Sequence, residues 1–467
     1  MGENLIYRTE IDSLGEKKIP AQVYYGIQTQ RALENFPVSG IKEHPNFIKA
    51  YIFIKKAAAL SHVELDRLDK EIGDNITKAC DEILEGKLQD QFVIDVFQAG
   101  AGTSFNMNIN EVVANRALEI MGESRGDYKK INPNDHVNMA QSTNDTFPTA
   151  MHIATLLSLE ELYPILNNLR SSLIQKGNEF KDIIKSGRTH LQDAVPTSLG
   201  FEFLAYGESI KQLINRIKSS SELLEELAIG GTAVGTGVNA HPKYHDLIIK
   251  NLKELTGLKL KKPKDLRRAM QSMLGMSAIS SSLKELALEL IRIANDLRLL
   301  SSGPTAGLAE IKLPAVQPGS SIMPGKVNPV ILECLNMVAF QIVGNDLAVS
   351  MAVQAGQLEL NVMMPVIIHN ILQSIQILTN YLPNVIEKCI LGIVANQERC
   401  SRYLDKNTAL ATFLNPYIGY LEAAKVAKES LEKNLSIYEL VLQKGLLTEE
   451  ELNKIFDPKF LTGEKKK

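Results

Sequence analysis

The chain has 467 residues, 45% of them apolar and 22% charged, which is typical of a globular protein with material for several domains. Its 51 basic and 54 acidic residues give a net charge of −3, which argues against a nucleic-acid-binding surface. Four widely spaced cysteines, with no CxxC pair and no histidine at metal spacing, exclude a disulfide scaffold and a cysteine-based metal site.

The predicted elements are helices separated by polar loops. The first helix that stands out spans 46–68, and a long one is expected to start near Pro148. Three stretches without proline then show helical periodicity, which predicts further long helices. They run from Pro196 to Pro242, Pro263 to Pro304 and Pro329 to Pro365.

The second proline-free stretch carries an apolar stripe with spacings of three and four residues. Its members are Leu283, Leu286, Leu290, Ile293, Leu297 and Leu300. Charged residues occupy the opposite face, so we expect the stripe to be buried against other helices. Helices of this length predict a bundle that exposes more apolar surface than one subunit covers, and hence self-association.

After a break at 392–396, Thr448 and Glu451 form the pattern of a capping box that starts a short helix. Three domains are predicted, at 1–142, 143–397 and 398–467. No apolar run is expected to span a membrane, and residues 1–10 are too polar for a signal peptide. We therefore expect a cytoplasmic protein with free thiols and no membrane partner.

The richest local feature is the loop at 319–329, Gly-Ser-Ser-Ile-Met-Pro-Gly-Lys-Val-Asn-Pro. Its glycines permit close backbone approach to a ligand, while its prolines stop either flanking helix from continuing. The spacing before Lys326 and the absence of a following Ser or Thr exclude a phosphate-binding P-loop. A pyridoxal phosphate at Lys326 is disfavoured because the sequence offers no partner for the pyridinium nitrogen.

Four other places carry polar residues in apolar surroundings: 100–108, 141–145, 187–192 and Glu333. The first differs from a dinucleotide fingerprint because Phe105 stands where the third glycine belongs. Each of the others has a simpler interpretation if taken alone. Residues 141–145 would be a helix N-cap cluster, His190 a structural histidine and Glu333 a surface carboxylate.

Taken together, these segments resemble the motifs of the fumarase/aspartase superfamily, in the same order and across nearly the whole chain; the loop at 319–329 matches nearly letter for letter. The resemblance implies an all-α protein of three domains with a long central five-helix bundle. It further implies a homotetramer whose core consists of packed bundles. Each active site would draw on three subunits, so a monomer is expected to be inactive.

The resemblance also implies residue roles. Ser320 matches a base on a mobile loop, whose alkoxide removes a proton next to a substrate carboxylate and leaves an aci-carboxylate. Since a serine hydroxyl is a weak acid, Lys326, backbone amides and exclusion of water must stabilise that alkoxide. The matched catalytic residues are Ser320, His190, Lys326 and Glu333. The matched substrate-binding residues are Thr103, Ser142, Thr143, Asn144, Thr189, Ser321, Ile322 and Asn328. No metal or cofactor is implied.

Three details favour loss of ammonia from L-aspartate over loss of water from L-malate. Residues 100–104 read Gly-Ala-Gly-Thr-Ser, as in aspartate ammonia-lyases, where fumarases have Gly-Ser-Gly-Thr-Gln. Residues 142–144 read Ser-Thr-Asn, where fumarases have Ser-Ser-Asn. Residues 132–135 lack the histidine that opens the fumarase second-site motif. Residues 355–362 also read like those of aspartate ammonia-lyases.

Other positions keep fumarate hydratase as an alternative. Residues 146–152 and 230–235 read more like fumarases, while Thr305 and Phe201 replace an arginine and a glutamine that are usual in the superfamily. A non-catalytic helical scaffold is disfavoured, because a relict would be expected to have lost some of the matched catalytic residues. A lyase with an electrophilic cofactor made from Ala-Ser-Gly is excluded, because the chain lacks that tripeptide.

Overall fold

The computed structural model describes residues 6–463, so part of the polar N-terminus discussed above, residues 1–5, lies outside it. The first described elements are an antiparallel hairpin and four helices. Their bounds are β1 (Tyr7–Asp12), β2 (Gly15–Pro20), α1 (Ile27–Asn35), α2 (Pro45–Glu64), α3 (Lys70–Leu84) and α4 (Thr103–Met121). Helix α2 corresponds to the helix predicted at 46–68.

The middle of the chain holds three long helices, two shorter ones and a second hairpin. Their bounds are α5 (Thr143–Glu179), β3 (Ile184–Thr189), β4 (Gln192–Ser198), α6 (Leu199–Ser221), α7 (Tyr244–Thr256), α8 (Leu266–Gln271) and α9 (Leu274–Leu300). Helix α5 begins five residues before the predicted start near Pro148, because the Ser142 carbonyl already accepts from the Asp145 and Thr146 amides.

Two more long helices and six short ones complete the described chain. Their bounds are β5 (Ile311–Lys312), α10 (Val330–Gln354), α11 (Met364–Lys388), β6 (Val394–Ala395), α12 (Gln397–Asp405), α13 (Asn415–Ile418), α14 (Tyr420–Lys433), α15 (Ile437–Gln443), α16 (Glu449–Ile455) and α17 (Pro458–Leu461). The capping box predicted at Thr448 and Glu451 is confirmed at the start of α16. The all-α prediction is confirmed.

The apolar stripe predicted on α9 is buried throughout, from Leu283 to Leu300. Near the other end of the chain, residues 410–461 have a hydrophobic cluster of their own, which includes Leu414, Val426 and Leu452. The four cysteines are free, and all but Cys334 are buried. The division into three domains stays a prediction.

The chain forms two compact units. The first comprises residues 1–163, 215–287 and 340–379, and the second comprises 164–214, 288–339 and 380–467. In the first unit, four aromatic rings pack around the starts of α4 and α5. Phe47 and Tyr51 of α2 contact Phe105 of α4 and Phe147 of α5, with centroid separations from 5.0 to 6.0 Å. This aromatic cluster fixes two segments that sequence analysis assigned to the site.

Helix α10 departs from the expectation of no membrane-length apolar run. On length and composition it could cross a membrane, and it is the one such helix in the described residues. Core helices of globular proteins pass the same test. Its exposed side chains Met337, Phe340, Leu347 and Met351 lie three, seven and four residues apart and so share one face, as on a helix that packs along a seam against another helix.

Candidate active site

Residues 319–329, here called the serine loop, form a largely exposed turn in the second unit, and the two ends of the turn are hydrogen-bonded to each other. The Gly319 amide donates to the Lys326 carbonyl at 2.8 Å, and the Asn328 side-chain amide donates to the Gly319 carbonyl at 2.6 Å. A Cβ on Gly319 would lie 2.4 Å from the Lys326 carbonyl oxygen, so only glycine fits there. The two ends of the loop are therefore locked together.

The hydroxyl of Ser320 lies inside this turn. Its Oγ accepts from the backbone amides of Ile322 at 3.2 Å and Met323 at 2.9 Å. Two N–H donors aimed at one oxygen stabilise negative charge on that oxygen. The serine loop thus supplies the kind of support that a serine alkoxide needs. Ser321 and Lys326 are exposed nearby, and Ile322 projects into solvent.

Thr103 begins α4 in the first unit and is exposed among buried neighbours. The turn before it is tight, because Ala101 and Gly102 both have left-handed backbone, with φ of 61° and 82°. The Ala101 amide donates to the Val362 carbonyl at 2.8 Å. A Cβ on Gly102 would lie 1.8 Å from the Phe147 ring. The packing of this turn therefore fixes where Thr103 lies.

Residues 141–145, here called the binding segment, start α5 in the same unit. The Ser142 hydroxyl accepts from the Asn144 amide at 3.2 Å, as a helix N-cap does, while its functional role stays a prediction. The Asn144 side chain donates to the Ala233 carbonyl at 2.8 Å. Thr143 is buried, while Ser142 and Asn144 are partly exposed.

The Asp145 side chain anchors the binding segment through hydrogen bonds. Its fully buried carboxylate accepts backbone N–H bonds from Ser142 at 2.9 Å, Gly230 at 3.0 Å and Thr232 at 2.9 Å. Burial raises the pKa of Asp145 to about 7, and these backbone bonds oppose that rise. The residues at 230–232 are thereby tied to Ser142. On sequence alone, Asp145 is only one member of a row of polar residues.

Thr189 and His190 lie at the tip of the β3–β4 hairpin in the second unit. Thr189 pairs with Gln192, so the turn consists of His190 and Leu191, both left-handed with φ of 56° and 59°. Tight hairpin turns require this backbone. Because both turn residues are exposed, the hairpin presents the His190 imidazole to solvent.

Buried ion pairs support that hairpin. The fully buried Glu310 carboxylate lies 2.6 Å from Lys185 Nζ and 2.8 Å from Arg188 Nη2. Arg188 directly precedes Thr189, so these ion pairs set the direction in which the tip projects. On sequence alone Glu310 does not stand out, because no local pattern marks a carboxylate that is paired with residues more than a hundred positions away.

Glu333 occupies the first turn of α10, just beyond the serine loop. Within the described part of one chain, no hydrogen bond or ion pair joins it to His190. Thr103, Ser142, Thr143 and Asn144 belong to the first unit, whereas all other predicted site residues belong to the second.

The first unit has a cavity of 560 Å³ whose lining includes Thr103, Arg31, Glu111 and Asn134. Arg31 is a cation that sequence analysis missed. Its guanidinium binds the Asp12 carboxylate through two bonds of 2.8 and 2.9 Å. On sequence alone it looks like an ordinary surface arginine of a short helix, and only the folded cavity places it near Thr103.

Family profiles match most of the chain. One described as Lyase matches residues 15–344, and one described as Fumarase C C-terminus matches residues 410–463. The chain belongs to the fumarase/aspartase superfamily of lyases. The resemblance stated from the motifs is thus confirmed.

Several superfamily relatives are similar over nearly their whole length. The chain is 52% identical over 456 residues to an aspartate ammonia-lyase of Bacillus subtilis (strain 168), with 98% of this chain and 96% of that protein covered. It is 49% identical over 452 residues to an aspartate ammonia-lyase of Escherichia coli (strain K12), with 96% and 95% covered.

Solved superfamily structures share the fold. A crystal structure described as fumarate lyase:delta crystallin from Brucella melitensis bound to cobalt has a TM-score of 0.96 at 47% identity, covering 98% of this chain and 100% of that one. A class II fumarase from Schistosoma mansoni has a TM-score of 0.94 at 38% identity, with the same coverage. The helical-bundle fold predicted from the resemblance is confirmed.

Proposed function

We propose that this protein is an aspartate ammonia-lyase, a carbon–nitrogen lyase that reversibly eliminates ammonia from L-aspartate to give fumarate. Relatives bearing that activity in their names align over nearly the whole chain at about half identity. The binding segment and the turn before Thr103 carry the sequence forms that favour an amine leaving group. The proposal also places the protein in the cytoplasm.

The observation that carries the mechanism is the Ser320 hydroxyl with two backbone N–H donors aimed at it. As an alkoxide, Ser320 Oγ takes the proton from the carbon next to the side-chain carboxylate of aspartate. The electron pair left on that carbon delocalises into the carboxylate, which becomes a doubly charged aci-carboxylate. When the pair returns to form the double bond, the carbon–nitrogen bond breaks and ammonia leaves.

The roles of the other residues follow from the hydrogen-bond donors and charges that they carry. Ser142, Thr143 and the backbone of Ser321 and Ile322 donate to the aci-carboxylate. Since the Ile322 amide bonds Ser320 Oγ in this structure, it must exchange that bond for the substrate when substrate binds, and the Met323 amide stays on the alkoxide. Such a donor contributes about 3 kcal/mol to lowering the barrier.

The second carboxylate and the leaving group need separate partners. Lys326, Asn328 and Thr189 hold the other carboxylate. Three residues, Thr103, Asn144 and His190, surround the departing amine. Glu333 orients the histidine. The site needs no metal and no organic cofactor in this scheme, because aspartate carries both the acidic proton and the leaving group.

We further propose a homotetramer with active sites shared between three subunits. The apolar stripe on α10, with Met337 66% and Leu347 65% exposed, is a surface that a partner helix would cover. Gly344 lies within the same stripe with open space around it, so another helix can approach closely there. A shared site also fits the absence, within the described part of one chain, of a hydrogen bond or ion pair between His190 and Glu333.

Fumarate hydratase is the second candidate. It is favoured by the fumarase-like residues at 146–152 and 230–235, and the latter bond directly to Asp145 beneath the binding segment. In both candidate reactions the substrate, L-aspartate or L-malate, and the product, fumarate, are small dicarboxylates.

The test is fumarate formation by the purified protein, followed by ultraviolet absorbance, from L-aspartate and separately from L-malate. Released ammonia is measured in parallel. We expect equal amounts of fumarate and ammonia from aspartate and no fumarate from malate. Fumarate from malate alone would overturn the proposal in favour of the hydratase.

A further inference from the structure

Lys55 of α2 is a fully buried lysine whose described partners are neutral amides. Its Nζ donates to the side-chain oxygens of Asn106 at 3.0 Å, Asn138 at 3.0 Å and Gln141 at 2.9 Å. An ammonium has three N–H donors, so these three oxygens satisfy it completely. Burial lowers the pKa of Lys55 to about 7, while the buried Asp145 carboxylate raises it.

Two of those oxygens belong to the strained turn that leads into the binding segment. Ala140 lies between Asn138 and Gln141 and has left-handed backbone, with φ of 53°. A non-glycine residue adopts this conformation only where surrounding bonds enforce it. The Asn138 side chain also donates to the Gln141 carbonyl at 3.2 Å. Lys55 therefore clamps both ends of a turn that ends next to Ser142.

The third oxygen links the same ammonium to α4. Asn106 lies one helical turn after Thr103, on the buried side of the helix. Its Oδ1 also accepts from the Thr146 hydroxyl at 3.4 Å, which connects it to α5. One buried cation thus joins the helix that carries Thr103 to the segment that carries Ser142 and Thr143.

We propose that Lys55 is a positioning residue for the lyase reaction, whose ammonium holds the Thr103 turn and the binding segment in the relative geometry that receives the negative charge developing on the substrate. This inference rests on the proposed function. Lys55 touches no reacting atom; it acts through Gln141 and Asn106. Because the charge on the substrate increases in the transition state, misplaced donors slow turnover more than they weaken binding.

The test compares Lys55→Met with Lys56→Met. Both lysines lie on α2, but Lys56 forms an ion pair with Asp81 away from the binding segment. With assembly and helix content verified, we expect Lys55→Met to lower kcat for L-aspartate at least about 30-fold while KM changes less than about 3-fold. Lys56→Met should keep both constants within about 2-fold of wild type.

A second variant decides the matter if Lys55→Met does not fold. Gln141→Met removes one acceptor and leaves Lys55 with Asn106 and Asn138. We expect kcat to fall about 5-fold at unchanged KM, and an unchanged kcat would overturn the proposal. Where Lys55→Met does fold, the double variant should lose less than the product of the two single losses, since both act on one turn, and multiplicative losses would overturn the proposal.

The possible results distinguish the inference about Lys55 from the proposed function. If wild type forms fumarate from L-aspartate but Lys55→Met shows only a lower melting temperature, with kcat and KM of wild type, Lys55 is merely structural and the inference fails alone. If the loss appears in KM with kcat unchanged, the transition-state argument fails. If wild type forms no fumarate from L-aspartate, the proposed function fails and takes the inference with it.

Discussion

The binding segment and the serine loop are built in opposite ways. In the binding segment, the buried Asp145 carboxylate ties Ser142 to residues 230–232, and Lys55 clamps the preceding turn. In the serine loop, residues 321–327 are all exposed, and the hydrogen bonds described for residues 319–327 run within the loop. One region is held by the core and the other by itself.

The difference indicates a division of tasks. Donors that bind substrate carboxylates work best when they are already in place, because no reorganisation is then needed during the reaction. An exposed loop that closes on itself moves at low cost, which suits a base that must approach bound substrate and exclude water. We therefore propose that the rigid region holds its substrate donors in place, while the serine loop brings the base and further carboxylate donors to the bound substrate.

Among the substitutions that test this division of tasks, Ser320→Ala is expected to have the largest effect. Without the hydroxyl there is no base, so we expect kcat for L-aspartate to fall by at least about 10³-fold. The helix content and subunit assembly should match wild type, since the Ser320 side chain bonds only within its loop. Turnover close to that of wild type would remove Ser320 from the base role.

Lys326→Ala should have the next largest effect. The exposed ammonium is proposed to serve both a substrate carboxylate and the serine alkoxide, so we expect kcat/KM to fall about 10²-fold, with a higher KM. Lys312→Ala, at an exposed lysine of β5, is the control. An unchanged KM in Lys326→Ala would show that this lysine does not bind the substrate.

Two glycines sharpen the contrast in rigidity. Gly102 and Gly325 have nearly the same left-handed backbone, with φ of 82° and 78°. A Cβ at Gly102 would collide with Phe147, whereas a Cβ at Gly325 would meet open space. We expect Gly102→Ala to lower the free energy of unfolding by about 3 kcal/mol and Gly325→Ala by about 1 kcal/mol. Equal losses, measured by denaturant unfolding, would contradict the comparison.

The smallest effect concerns acid sensitivity of the rigid region. His152 lies on α5 two turns beyond the binding segment, and its Nδ1–H donates to the Glu226 carbonyl at 2.9 Å. Burial lowers the pKa of His152 to about 4 from its usual 6.5. Below pH 6.5, His152 therefore binds a proton in the unfolded chain but not in the folded one. The free energy of unfolding falls as the pH falls toward 4.

We expect wild type to lose about 1.5 kcal/mol more than His152→Gln between pH 6.5 and pH 5. The glutamine keeps a donor for Glu226 but does not titrate. Burial also lowers the pKa of His44, His62, His245 and His369, so only the difference between the two proteins isolates His152. Parallel pH profiles would contradict the assignment.

Much of the fold was predictable, because the residues that favour a helix lie within the helix's own stretch of sequence. Proline-free periodic stretches predicted α6, α9 and α10, and the spacing of Thr448 and Glu451 predicted the cap of α16. Helix α5 begins five residues before the predicted start near Pro148, because Pro148 is tolerated in the second helical turn, where only one backbone hydrogen bond is lost.

The candidate site was predictable only where its residues form contiguous motifs. The serine loop could be recognised as a string of glycine, serine, lysine and proline. Lys55, Glu310 and Arg31 could not, because each acts through partners distant in sequence: Asn138 and Gln141, Lys185, and Asp12 respectively. A buried lysine or glutamate has no sequence pattern of its own, since burial depends on packing of the whole unit.

The most direct test of the division of tasks is calorimetric titration of succinate, an unreactive four-carbon dicarboxylate, into wild type, Ser320→Ala and Thr143→Val. The account predicts that Ser320→Ala binds succinate within about 3-fold of wild type, because its lost hydroxyl serves proton removal. Thr143→Val should bind at least about 10-fold more weakly, because it loses a donor to a charged carboxylate. Weak binding by Ser320→Ala together with normal binding by Thr143→Val would contradict the account.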